Sequence, residues 1–161
     1  QLSPADTFDT STLFTQLEAS LPSAAKRTLF GAMTRVDYYD LDAIWLEQKA
    51  IPTGTSASDL VSNLASLLDL RKREAATILG VSESRISRND RVDVPMLDRA
   101  QGVSEVFAEV TAVLGPEGAQ TWFKAPNRAL DGAEPYKLLG TSYGERRVRN
   151  LITALLNGAV V

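Results

Sequence analysis

The chain contains no cysteine and no histidine. Those two absences remove disulfides, thiol nucleophiles, histidine bases and the usual zinc sites together. Carboxylates, lysines, serines and tyrosines remain, yet no paired-acid motif, phosphate loop or nucleophile elbow occurs among them. No catalytic, cofactor-binding or metal-binding residue is therefore assigned, and the expectation is a protein that is not an enzyme and needs no cofactor. Long apolar runs are also missing, so no segment can span a bilayer. The opening stretch, QLSPADTFDT, lacks the basic-then-apolar layout of a secretory signal, and a cytoplasmic home is the expectation.

Within these limits the 161 residues have an ordinary apolar fraction for a globular protein, enough for one sizeable core or two small ones. The net charge of −3 hides an uneven layout. Residues 1–60 carry eight acids against four bases, whereas Arg71 to Arg91 carries six bases against three acids. Positive potential is thus local.

Apolar residues recur at spacings of three and four rather than two, which predicts an all-α protein. Leu13, Phe14 and Leu17 mark a first helix, Leu29, Phe30 and Met33 a second, and Leu41, Ile44 and Trp45 a third. Proline, glycine and small polar residues break the pattern at 51–58. Leu60, Val61, Leu64, Leu67 and Leu68 then form the stripe of a packed helix. Pro95 suits the first turn of a long helix carrying Leu97, Ala100, Val103, Phe107, Val110 and Leu114, and Gly115-Pro116 ends it. A short helix follows with Trp122 and Phe123, and then a punctuated loop containing Pro126, Asn127, Asp131, Gly132, Pro135 and Gly140. Ser142 and Glu145 have capping-box spacing for a last helix built on Val148, Leu151, Ile152 and Leu155, which Asn157-Gly158 should stop.

The segment RKREAATILGVSESRISRND, Arg71 to Asp90, has the pattern of a helix-turn-helix. Ala76 lets one helix approach the next, Gly80 supplies a left-handed turn, and Val81 and Ile86 anchor the second helix from beneath. Its exposed positions are Ser82, Ser84, Arg85, Ser87 and Arg88, whose side chains donate to phosphates and base edges. Arg85 and Arg88 are the candidates for operator readout. An ordinary helical hairpin with a solvated basic face fits the same residues. With an acidic amino-terminal third limiting non-specific affinity, useful operator affinity calls for two copies, hence a homodimer.

Beyond the helix stop at Asn157-Gly158 come Ala159, Val160 and Val161. Two readings fit these: the residues tuck back onto their own bundle, or they insert into a partner, where a terminal carboxylate could meet a cationic pocket. Trp122 reads most simply as core, and Pro126, Gly132, Pro135 and Gly140 as shape-setting residues. Arg146, Arg147 and Arg149 form either a solvated face or a set of partners for anionic loops.

From about Ile51 onward the sequence resembles the Xre/MbcA/ParS antitoxins, which are paired with RES-domain toxins in bacterial type II toxin-antitoxin systems. The resemblance rests on the helix-turn-helix, its lead SASDLVSNLASLLDL, and the later stretch WFKAPNRALDGAEPYKLLGTSYGERRVRNLITALLNG. There Trp122, Pro126, Asn127, Ala129, Leu130, Gly132, Pro135, Leu138, Leu139, Thr141, Gly144, Val148, Leu151 and Gly158 fall where the family pattern places such residues. It implies an Xre-like DNA-binding bundle over 51–94 and a helical toxin-binding domain over 95–161; residues 1–50 lie outside the resemblance and are either a family-typical helical amino-terminal extension, which could pair subunits, or a segment particular to this protein. It further implies an antitoxin that neutralises a RES toxin acting on NAD, without binding NAD itself, and that represses its own operon through operator DNA. Asn157, Gly158, Ala159, Val160 and Val161 are the expected toxin-blocking residues, aimed by the last helix into the NAD cleft. The connection Arg91-Val-Asp-Val-Pro95 departs from the family pattern and, with Asp90 before it, sets acids beside the DNA face. The rival readings are a stand-alone helix-turn-helix regulator without a toxin, and a pure protein-binding antitoxin whose helix-turn-helix is a scaffold.

Overall fold

The structure is a computed structural model that describes residues 8–158. The chain is all-α: α1 (Thr10–Glu18), α2 (Pro22–Thr34), α3 (Leu41–Trp45), α4 (Ala57–Leu68), α5 (Lys72–Leu79), α6 (Glu83–Ser87), α7 (Val94–Lys124) and α8 (Ser142–Leu156), with short 3-10 turns at Tyr38–Asp40, Arg128–Leu130 and Pro135–Leu138. Among the described residues the only ladder contact is one isolated antiparallel bridge between Ser56 and Arg91.

α1, α4 and α7 each begin where a side chain accepts from an otherwise orphaned backbone N–H. Asp9 accepts from Ser11 at 3.1 Å for α1, Ser56 from Asp59 at 3.1 Å for α4, and Asp93 from Met96 at 3.0 Å for α7. Pro22 and Pro95 sit in first turns, where their missing N–H costs nothing. Residues in the left-handed region end α2 at Arg35, α4 at Asp69 and α5 at Gly80.

α7 is the spine. Leu97, Ala100, Val103, Val106, Phe107 and Val110 lie fully buried on it, against the apolar faces of α1, α2, α4, α5 and α8. The expected stop at Gly115-Pro116 is present as a sharp break: Gly115 adopts φ 76° and ψ 169°, a region open essentially to glycine alone. Phe107 and Phe123 would be about 24 Å apart along a straight helix. Instead their rings stack at 5.9 Å, so the limb after the break folds back onto the limb before it. Phe107 also stacks on Phe14 of α1 at 6.1 Å. One continuous core therefore draws on residues from all three stretches of the chain.

Some expectations need correction. Trp45 and Leu114, read as core, are exposed. α3 stops at Trp45 and Glu47 reverses the chain at φ 59°, so no further turn covers the indole. Leu114 occupies the last turn before the Gly115 break. The cap of α8 is Thr141 rather than Ser142: its hydroxyl accepts from Gly144 N–H at 3.0 Å. Glu145 does not reach back to the cap, because it faces α7.

Candidate functional site

Two surfaces carry the residues singled out from the sequence. The first is the α5–α6 unit. α5 closes at Gly80 (φ 69°), where Val81 N–H donates to the Ala76 carbonyl at 2.9 Å, and Ser82 caps α6 by accepting from Arg85 N–H at 3.3 Å. Ala76 and Val81 are buried and Ile86 packs against the core, as their spacing requires. α6 is short: Asn89 turns left-handed at φ 55° and stops it.

Ser82, Ser84, Ser87 and Arg88 are exposed on this unit, and Arg85 is half-buried. The arginines are already engaged. Arg85 reaches Asp90 at 3.2 Å and Asp93 at 2.9 Å, while Arg88 takes both Asp90 oxygens at 2.9 and 3.3 Å. Arg88, then Arg85, hold the Asp90 carboxyl below its usual range, and Asp93, then Asp90, push the Arg85 guanidinium up. The acids after α6 thus neutralise much of the charge that a phosphate or a guanine would meet.

The second surface is built on the folded-back limb of α7, the punctuated loop and α8. Buried Asn127 organises the loop. Its side chain accepts from Ala129 N–H at 2.9 Å, its carbonyl accepts from Leu130 at 3.0 Å and Gly132 at 2.9 Å, and its own N–H donates to Ala133 at 3.1 Å. Asp131 and Gly132 both take positive φ, 56° and 87°. Gly144 is buried directly beneath the Leu138 carbonyl, which a Cβ at that position would overlap. Hence the loop locks the start of α8 by backbone contact that only glycine permits.

α8 runs parallel to the first limb of α7: Glu145 lies over Gly102, and Arg149 bridges to Glu105 at 3.0 Å. Val148, Leu151 and Ile152 face the core. The three arginines expected to form one face divide. Arg149 is spent between Glu105 and Glu145, whereas Arg146 is exposed and Arg147 half-buried, neither with an ion-pair partner among the described residues. Tyr143, Arg146, Asn150, Thr153 and Asn157 share the outward face at helical spacing, with Tyr143 65% exposed and Leu156 48% exposed at its end. Asn157 and Gly158 stop the helix as expected, Gly158 at φ 84°. Ala159, Val160 and Val161 lie outside the described residues. Trp122 is half-buried, edge-on to Phe123 at 5.0 Å, with its indole Nε1 buried and unpaired.

Three contacts that no local pattern foretold fasten this second surface to α4 and α5. Tyr136 hydroxyl donates to Glu74 at 2.6 Å, Lys124 pairs with Asp69 at 2.8 Å, and the Gln120 amide donates to the Leu67 carbonyl at 3.0 Å. Glu74 also accepts from Arg71 N–H at 3.1 Å, closing the start of α5. The Tyr136 hydroxyl, then the Arg71 N–H, hold Glu74 down at about 2, and the same carboxylate pushes Tyr136 up to about 12. A carboxylate whose folded value lies below its ordinary 4.5 contributes stability in full above that value and loses it as pH falls toward 2. For Tyr136 the contribution is complete below 10 and is lost as pH rises toward 12. Tyr136→Phe should therefore flatten the fall in urea midpoint between those two acid values; an unchanged slope would show that Glu74 owes its low value to other groups.

Residues 109–158 match the family model described as the antitoxin Xre/MbcA/ParS C-terminal toxin-binding domain. The match covers under a third of the chain and ends at Gly158. It supports an antitoxin with a toxin as its binding partner. No curated protein matches the chain.

Proposed function

We propose that this chain is an antitoxin of the Xre/MbcA/ParS type that neutralises a RES-domain toxin acting on NAD. The observation that carries the reading is the coincidence of the matched segment with a surface built for contact: residues 109–158 contain the loop locked by Asn127 and Gly144, and an α8 on which exposed Arg146 and half-buried Arg147 have no ion-pair partner among the described residues. In this reading α8 aims residues 157–161 at the toxin's NAD cleft, and Arg146 and Arg147 pair with its acidic loops. Capture of the toxin by the full chain, and loss of capture on removing residues 157–161, is the test.

The chain also acts, in this reading, as a repressor of its own operon in the bacterial cytoplasm, as a homodimer within a larger toxin-antitoxin complex, with Ser82, Ser84, Arg85, Ser87 and Arg88 toward the operator. The ion pairs at Arg85 and Arg88 favour weak operator affinity unless Asp90 and Asp93 yield those arginines to DNA. Asp90→Asn with Asp93→Asn keeps a capping residue at the start of α7 and frees both guanidiniums. Operator affinity should then rise roughly tenfold with a steeper salt dependence, the scale of one charge-assisted hydrogen bond. Unchanged binding in a gel-shift titration would favour a scaffold role for α5–α6. A stand-alone helix-turn-helix regulator is the alternative, and it would bind operator DNA while capturing no toxin.

A further inference from the structure

We infer that the cleft between the 38–45 segment and α7 is a docking site for an arginine side chain of the protein partner. The inference rests on the toxin-binding reading, which it extends onto the amino-terminal part of the chain. The cleft has a volume of about 380 Å³ and is lined by Tyr38, Tyr39, Trp45, Asp42, Asp98 and Gln101. That is enough for one long side chain and far too small for a packed helix.

The chemistry points to a cation. Asp42 and Asp98 are exposed and have no ion-pair partner among the described residues, whereas nearby Asp40 is neutralised by Lys49 at 2.8 Å. Tyr39 is 74% exposed and Trp45 43% exposed, presenting aromatic surface beside those carboxylates. The chain's own cations already use rings of this group: Lys26 Nζ lies 5.4 Å from the Tyr38 ring centre, and Arg27 Cζ lies 5.4 Å from that of Tyr39. A guanidinium can stack on an indole while its edge donates to a carboxylate, which an ammonium cannot do as well.

The position ties the cleft to the toxin face. Gln101 donates to the Tyr38 hydroxyl at 3.5 Å and also to Glu105, which in turn receives Arg149 of α8 at 3.0 Å. Asp98, Gln101 and Glu105 occupy one face of α7 at helical spacing. A hydrogen-bonded path thus runs from the cleft to the seam on which α8 sits.

The test uses the full chain labelled with nitrogen-15 and titrated with N-acetyl-L-argininamide, with the neutral isostere N-acetyl-L-citrullinamide as control. Saturable shifts are expected at the Trp45 indole and the Tyr39 and Gln101 amides with the arginine probe. They should be at least tenfold weaker with citrulline and in the Asp42→Asn, Asp98→Asn variant, whose exposed isosteric changes spare the fold. Equal shifts with both probes, or no saturation with either, overturn the inference. So do cross-peaks at these residues that move on dilution while the sedimenting mass falls, because the occupant is then a second copy. Toxin capture separates this idea from the one beneath it. The double variant should weaken capture about tenfold; undiminished capture removes the cleft from the interface but leaves the toxin reading intact. Failure of the unmodified chain to capture toxin overturns the toxin reading and the partner assignment with it, while the titration alone still decides whether the cleft binds arginine.

Discussion

Phe107→Ala lowers the free energy of unfolding by about 3–5 kcal/mol, the range for removing a buried aromatic ring from a packed core. Phe107 is fully buried and its ring lies between Phe14 at 6.1 Å and Phe123 at 5.9 Å. It therefore joins α1 to both limbs of α7, and the void left by truncation borders aromatic rings that cannot collapse into it without moving their helices. Domains are stable by only about 5–15 kcal/mol, so the loss is a large share of the whole. Equilibrium urea unfolding is the measurement. A drop in midpoint with an unchanged slope agrees with the account, and a change below about 1 kcal/mol would mean that the stack does not organise the core.

Tyr143→Ala combined with Arg146→Glu weakens toxin binding by about a hundredfold or more, the scale of losing an aromatic anchor and reversing a charge at an interface. Tyr143 and Arg146 stand on the outward face of α8, while Gly144, Val148, Leu151 and Ile152 face inward. Circular dichroism and thermal midpoint should stay as they were, since neither side chain touches the core. Titration calorimetry with the toxin reads the affinity. Retained affinity with an unchanged fold would move the interface off this face of α8.

Much of the architecture was legible because local rules set it. The apolar stripes of α4, the first limb of α7 and α8 became core, and Gly80, Gly115 and Asn157-Gly158 interrupted helices where their backbone preferences said they would. Trp45 failed because periodicity does not report where a helix stops, and Glu47 turns the chain one step too early to cover the indole. The cap of α8 failed because Ser142 and Thr141 are adjacent and both competent; tertiary demand on Glu145, drawn toward α7 and Arg149, decided between them.

The candidate sites were legible to a smaller degree. Exposure of Ser82, Ser84, Ser87 and Arg88 followed from helical spacing, and Asp90 and Asp93 were visible beside them. That Asp90 serves both arginines, while Asp93 also caps α7, depends on where the chain turns after Asn89. Glu74 with Tyr136 and Glu105 with Arg149 join residues far apart in the chain, and no window of sequence reports such pairs. The splitting of Arg146, Arg147 and Arg149 between surface and seam likewise depends on α8 lying parallel to α7.

The most direct test of the central claim is co-purification of a candidate RES-domain toxin with the full chain, set against the same chain lacking residues 157–161. The account predicts a stable complex whose NAD-consuming activity is silent with the full chain, and weakened capture with returning activity for the shortened one. A RES-domain protein that stays fully active and unbound in the presence of the full chain would contradict it.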